Sequence, residues 1–122
     1  MIGYLYIFGT IIFTVFGQLV LKWQVDEAGA LPDALWDKFL FLLQLLLNPW
    51  IISGFASAFL AALCWMAAMT KFNISYAYPF MSLSFILVFL LSAILFGDPV
   101  TIHKIAGLAL IIAGIIVTSQ SL

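Results

Sequence analysis

Four apolar runs, near residues 3–23, 50–71, 75–97 and 100–120, restrict the fold of this chain more than any other feature. A bilayer core about 30 Å thick takes roughly 20 residues of helix at about 1.5 Å each, so each run is long enough to cross once. Inside hydrocarbon only a helix or a closed barrel satisfies its own backbone, and a barrel needs alternating strands of about ten residues, which these continuous runs are not. The reading is an all-α membrane protein with four transmembrane helices in a single domain, residues 1–122. Composition agrees: 66% of the residues are hydrophobic and 7% charged, which leaves no room for a separate soluble catalytic module. A net charge of −1 offers no basic face for nucleic acid and no polybasic patch for anionic lipid.

The first run has no basic segment before it and exceeds the apolar core of a secretory signal, so it is read as a permanent helix despite the cleavage-like Ala28-Gly29-Ala30. Very short turns after the second and third runs predict that the helices they join are antiparallel neighbours. The first connection is longer and contains LPDALWDKFLFLLQLLLNPW. After Pro32, with Asp33 available as N-cap, residues 34–47 predict an amphipathic helix too short to span, ended by Asn48-Pro49. It is expected at the membrane interface, with Trp36, Asp37 and Lys38 toward headgroups and the Leu and Phe residues toward acyl chains; a tilted fifth core helix is the alternative. All five acidic residues fall in connections. Lys22, Lys38 and Lys104 lie on the side of the first and third loops and Lys71 on the other, which taken literally puts both termini outside and leaves a dual topology open. Asp98 and Pro99 read as N-cap and first residue of the fourth helix. His103 reads as interfacial, Cys64 as a small buried hydrophobe, and the sequon Asn73-Ile74-Ser75 as chance.

Polar side chains inside the runs are costly and therefore informative. Thr10, Thr14, Gln18 and Lys22 recur every four residues and form one slowly winding stripe on the first helix. Either that stripe lines a substrate path, or the threonines bond their own backbone while Gln18 bridges helices and Lys22 reaches headgroups. In the third run Ser75, Tyr78 and Ser82 share a helical face, and Pro79 leaves the carbonyl of Ser75 without its helical donor, which is tolerable only against protein or a wet cavity. Trp65 and Tyr78 count back to the same turn, so they are expected at similar depth, walling a cavity. Gly107 and Gly114, flanked by alanines, suit a close helix–helix seam, between two copies or within one. One four-helix unit has few ways to enclose a path, so the working unit is expected to be at least a dimer.

These residues carry a resemblance. Gly17-Gln18-Leu19 with Lys22, Trp65 thirteen residues before Tyr78, AYPFMSLSF from Ala77 to Phe85, and GDPVTIHKIAGLALIIAGI from Gly97 to Ile115 resemble the drug/metabolite transporter superfamily in its four-helix form. Within it the chain looks most like the aminoarabinose-lipid flippase subunits of bacterial envelope modification. It is also similar to small multidrug resistance exporters, but where those carry a membrane-embedded Glu on the first helix this chain has Thr14, which cannot titrate or neutralise a cation.

The resemblance implies a flippase, or one subunit of it, that moves a polyprenyl-phosphate sugar across the bacterial inner (plasma) membrane. Thr10, Thr14, Gln18 and Lys22 would line the path, with Gln18, Thr14 and Lys22 serving the phosphate; Trp65, Tyr78 and Ser82 would contact the sugar. Pro79 would be the hinge, and Gly107 and Gly114 the seam of a homodimer or of a heterodimer with a paralogue. No cofactor, metal or covalent chemistry is implied. A small-molecule exporter and an accessory subunit of a membrane glycosyltransferase are the alternatives.

Overall fold

The computed structural model describes residues 2–120, and all the regular secondary structure among them is helical. Helix α1 runs Ile2–Ala28, five residues beyond the expected end at 23. Its 27 residues are longer than a bilayer core is thick, so the last turns project as an exposed stub on which Lys22 Nζ meets Asp26 at 3.0 Å, one turn on. Gly29 stops it with φ +94°, a left-handed conformation that costs glycine nothing.

Helix α2 runs Leu35–Leu46, one residue inside each end of the expected 34–47. Asp33 is not its N-cap: Ala34 occupies that position in extended conformation with no side-chain bond, which puts Asp33 one residue too early to reach the first-turn N–H groups. The helix buries no residue. Asn48 does more than end α2: its Oδ1 accepts from Trp50 N at 2.8 Å, making it the N-cap of α3, Pro49–Met69, with Pro49 in the first turn.

α1 and α3 form the tightest pair. Hydrophobicity cannot drive their contact in lipid, because acyl chains are as apolar as Leu; close packing and interhelical hydrogen bonds must. Gly17 provides the packing, since a Cβ there would lie 3.0 Å from the carbonyl oxygen of Gly54. One turn along, buried Ser57 donates its hydroxyl to the carbonyl of Phe13 at 2.6 Å. At the stub, Asn48 Nδ2 donates to Oε1 of buried Gln24 at 2.9 Å, and the Trp23 and Trp50 rings meet edge to face.

The third span is not one regular helix. It opens as α4, Ile74–Ala77, tightens into a 3₁₀ turn over Tyr78–Ser82 around Pro79, and continues as α5, Leu83–Leu95. A ring with no N–H breaks the i→i−4 ladder, and the chain accommodates it by winding more tightly. Sequential spans do touch, Trp65 of α3 against Tyr78 and the fourth span against the 3₁₀ turn, but the straight part of the third span leans elsewhere. α5 packs mainly on α1, where Ile7, Ile11 and Val15 form a core with Ala68 and Ala77 that Leu83, Leu87 and Leu91 cover.

Helix α6, Ile102–Ser119, is capped by Thr101, whose Oγ1 accepts from Lys104 N at 3.2 Å. Asp98 and Pro99 therefore lie before the helix, in a connection opened by Gly97 at φ +68°. The extended backbone of Thr101 sets the start, and its side chain can cap where Asp98, three residues earlier, cannot. α6 rests chiefly on the 3₁₀ turn and is exposed along most of its length. Among the described residues nothing lies within 4 Å of a Cβ built at Gly107 or Gly114, so their packing does not use these glycines.

Candidate functional site

A cavity of about 290 Å³ lies between α1, α3 and the 3₁₀ turn, lined by Thr10, Thr14, Ala58, Ala61, Ala62, Trp65, Tyr78 and Met81. The alanines of α3 give it a flat wall, and Trp65, one turn further, closes that wall with its indole. Tyr78 comes from the opposite side, and the two rings meet edge to face with centroids 5.7 Å apart. Their expected common depth is thus met by direct contact. Among the described residues no charged side chain lines the cavity.

The α1 stripe reaches it in part. Successive members of an i,i+4 series turn about 40° around a helix of about 100° per residue, so four such residues sweep about 120°. Thr10 is buried and donates its hydroxyl to the carbonyl of Tyr6 at 2.9 Å, so its polarity is spent on its own helix. Thr14 is half-buried and lines the cavity with no hydrogen bond to another described residue. Gln18 and Lys22 are exposed on the continuation of the stripe, outside the cavity. Lys22, eight residues past Thr14 and so about 12 Å along the axis, holds its ion pair with Asp26.

Ser82 is half-buried and does not line the cavity; Met81 does. The tighter winding explains the exchange. At about 120° per residue, residues three apart eclipse, so Met81 rather than Ser82 follows Tyr78 onto the cavity side. Pro79 sits inside this turn, next to Tyr78.

Several residues that spacing did not single out matter to the geometry. Ala58, Ala61 and Ala62 precede Trp65 by seven, four and three residues, a helical face that the sequence pattern contains. Tyr4 and Tyr76, whose hydroxyls are 2.8 Å apart, are 72 positions apart in sequence and gave no signal. Cys64 is only half-buried, its Sγ packed beside Gly9. Among the described residues no group of three His, Cys, Asp or Glu side chains is placed to hold a metal.

Four helices long and apolar enough to cross a bilayer, with mean hydropathies of 1.9 to 2.2, and an uncharged cavity between three of the spans define a multi-pass membrane protein. Comparison with known proteins specifies the class. The sequence model of the EamA-like transporter family matches residues 1–120, and the chain belongs to that family. Its curated relatives include a protein of Aeromonas hydrophila named "Probable 4-amino-4-deoxy-L-arabinose-phosphoundecaprenol flippase subunit ArnF", 35% identical over 92% of this chain and 76% of the relative. A Pseudomonas aeruginosa protein with the corresponding name for subunit ArnE is 30% identical over 92% of both chains. The subunit ArnF of Photorhabdus laumondii is 29% identical over 97% of both. No solved structure matches the chain significantly.

Proposed function

We propose that this protein is a subunit of a lipid-linked sugar flippase, which moves a polyprenyl-phosphate-linked sugar across the inner membrane. The observation that carries the reading is the cavity itself: neutral, walled by Trp65 and Tyr78, and with the free hydroxyl of Thr14. Aromatic faces and a hydroxyl suit a sugar ring, and about 290 Å³ admits a headgroup but not a long prenyl chain, which can remain in lipid. The names of the relatives point to the same substrate class.

The phosphate is assigned to a different depth. Gln18 and Lys22 lie on the exposed continuation of the stripe, toward the stub of α1, where Lys22 can exchange Asp26 for a phosphodiester. Pro79 and its 3₁₀ turn are the hinge of the third span, and Ser82, adjacent in that turn, meets the sugar only if the turn rewinds. α2 lies in the interface among membrane lipids. α6, with Gly107 and Gly114 uncovered, joins a second copy or a paralogous subunit. The protein acts without cofactor or covalent step and is not an enzyme. An exporter of cations coupled to protons is disfavoured by Thr14, because no carboxylate lines the cavity.

The test is translocation of a polyprenyl-phosphate aminosugar in liposomes, with wild type beside Gln18→Ala, Lys22→Ala and Trp65→Ala. Saturable flipping that falls in all three folded variants is expected. Flipping that survives in all three would sink the assignment of path and substrate together.

A further inference from the structure

We propose that Tyr4 and Tyr76 form a latch that shuts the cavity at its end nearest the α3–α4 turn, and that parting it exposes the cavity to that side of the membrane. The inference rests on the transport reading of the same cavity and adds which end is closed and what must break to open it.

The latch is a direct hydrogen bond between two phenol oxygens 2.8 Å apart, from α1 to α4. Around it four rings form a box. Tyr4 packs on Phe72 at 4.9 Å and on Phe80 at 6.3 Å, and Tyr76 packs on Phe72 at 5.4 Å and on Phe80 at 5.3 Å. Tyr76 is 6% exposed. The box lies between cavity and turn: Tyr4 is six residues before Thr10, about 9 Å along α1, and Phe72 belongs to the turn that joins α3 to α4. Toward the opposite end the α1 stripe runs on to exposed Gln18 and Lys22, with no such box. The box therefore stands between the cavity and the α3–α4 turn, with Tyr76 buried and Tyr4 41% exposed, and parting it would open a way in from that side.

The way the spans are fastened says what can move. Among the described residues, side-chain hydrogen bonds join α1 to the rest of the chain at three places. Two of them, Ser57 to the carbonyl of Phe13 and Asn48 to Gln24, tie α1 to α3 and its cap, beside the Gly17–Gly54 contact that brings the two backbones together. The Tyr4–Tyr76 bond alone reaches the third span. α1 and α3 thus behave as one body, and the third span is held to it by apolar packing and this bond. Tyr76 is also two residues before the 3₁₀ turn, so a change in the winding of that turn is delivered straight to the latch.

The test is thiol accessibility in reconstituted, substrate-free protein, so that it succeeds or fails independently of what is transported. In a Cys64→Ala background, Thr14→Cys places a thiol in the cavity, and Ala62→Cys places one there from α3 should the first fail to fold. Asn73→Cys and Asp33→Cys, labelled separately by a membrane-impermeant maleimide, report how many copies face each way. With the latch intact, the cavity thiol is expected to react from the Asp33 side and to be protected from the Asn73 side. Tyr4→Phe and Tyr76→Phe each remove the bond but keep the ring, and each should raise labelling from the Asn73 side between about two- and tenfold, the range for one net hydrogen bond. The double variant should open no further than the more open single one, because both delete the same bond. Equal labelling from both sides with the latch intact would overturn the proposal. So would unchanged protection in both phenylalanine variants that fold as the parent does.

Discussion

Gly17→Ala is the substitution whose sign most directly tests the α1–α3 seam. In an open helix, replacing Gly by Ala gains about 0.8–1 kcal/mol of helix propensity. At Gly17 the new methyl would lie 3.0 Å from the carbonyl oxygen of Gly54, a backbone atom that cannot rotate aside. The two helices would have to part by a few tenths of an ångström, loosening the seam and stretching the 2.6 Å bond from Ser57 to the carbonyl of Phe13. Overpacking of this kind costs about 1–3 kcal/mol, and an interhelical bond in a membrane about 0.6 kcal/mol. The net expectation is a loss of about 1–2 kcal/mol. Gly54→Ala is the internal control: its methyl would stand 3.4 Å from the carbonyl of Gly17, ordinary contact, so its effect should lie within about 1 kcal/mol of zero. Equilibrium unfolding in mixed detergent micelles, followed by helical circular dichroism, measures both. If Gly17→Ala stabilises the protein as it would an open helix, the backbone contact does not limit the seam and the reasoning fails.

Asn48→Ala should destabilise by about 1.5–2.5 kcal/mol in the same assay, since it removes both the cap on Trp50 N and the donor to buried Gln24. Asn48→Asp keeps the cap and loses the donor, so it should recover most of that; equal damage from both would mean the cap contributes little. Gly107→Ala and Gly114→Ala meet nothing within 4 Å and should leave the single chain as stable or up to about 1 kcal/mol more stable, while lowering association measured by energy transfer between labelled copies. Unchanged association would remove α6 as the seam.

Much of the architecture was legible because local rules write it. Apolar runs of membrane length demanded helices, and four helices of that kind are present. Trp65 and Tyr78 were placed at one depth by counting from a shared turn, and their rings touch. The same counting failed where the pitch changed: Tyr78 and Ser82 share a face at 3.6 residues per turn, but Pro79 winds that segment into a 3₁₀ turn and puts Met81 in the place of Ser82. Caps were misread by one to three residues at Asp33 and Asp98, because a cap depends on where the backbone turns from extended to helical, which composition does not fix.

The sequence by itself determined that this chain enters a membrane, how many times it can cross, and that its first and third spans carry polar groups which need a partner other than lipid. Only the tertiary structure decided that Thr10 and Thr14 face the cavity while Gln18 and Lys22 do not, that α5 leans on α1, that α6 stands apart, and that Tyr4 meets Tyr76. The reason is the solvent. In water, hydrophobicity tells a helix which face to bury; in lipid every apolar face is equally content, so the rotation and pairing of helices are settled by a few close contacts, Gly17 on Gly54 and Ser57 on the Phe13 carbonyl among them, that no one-dimensional pattern reveals.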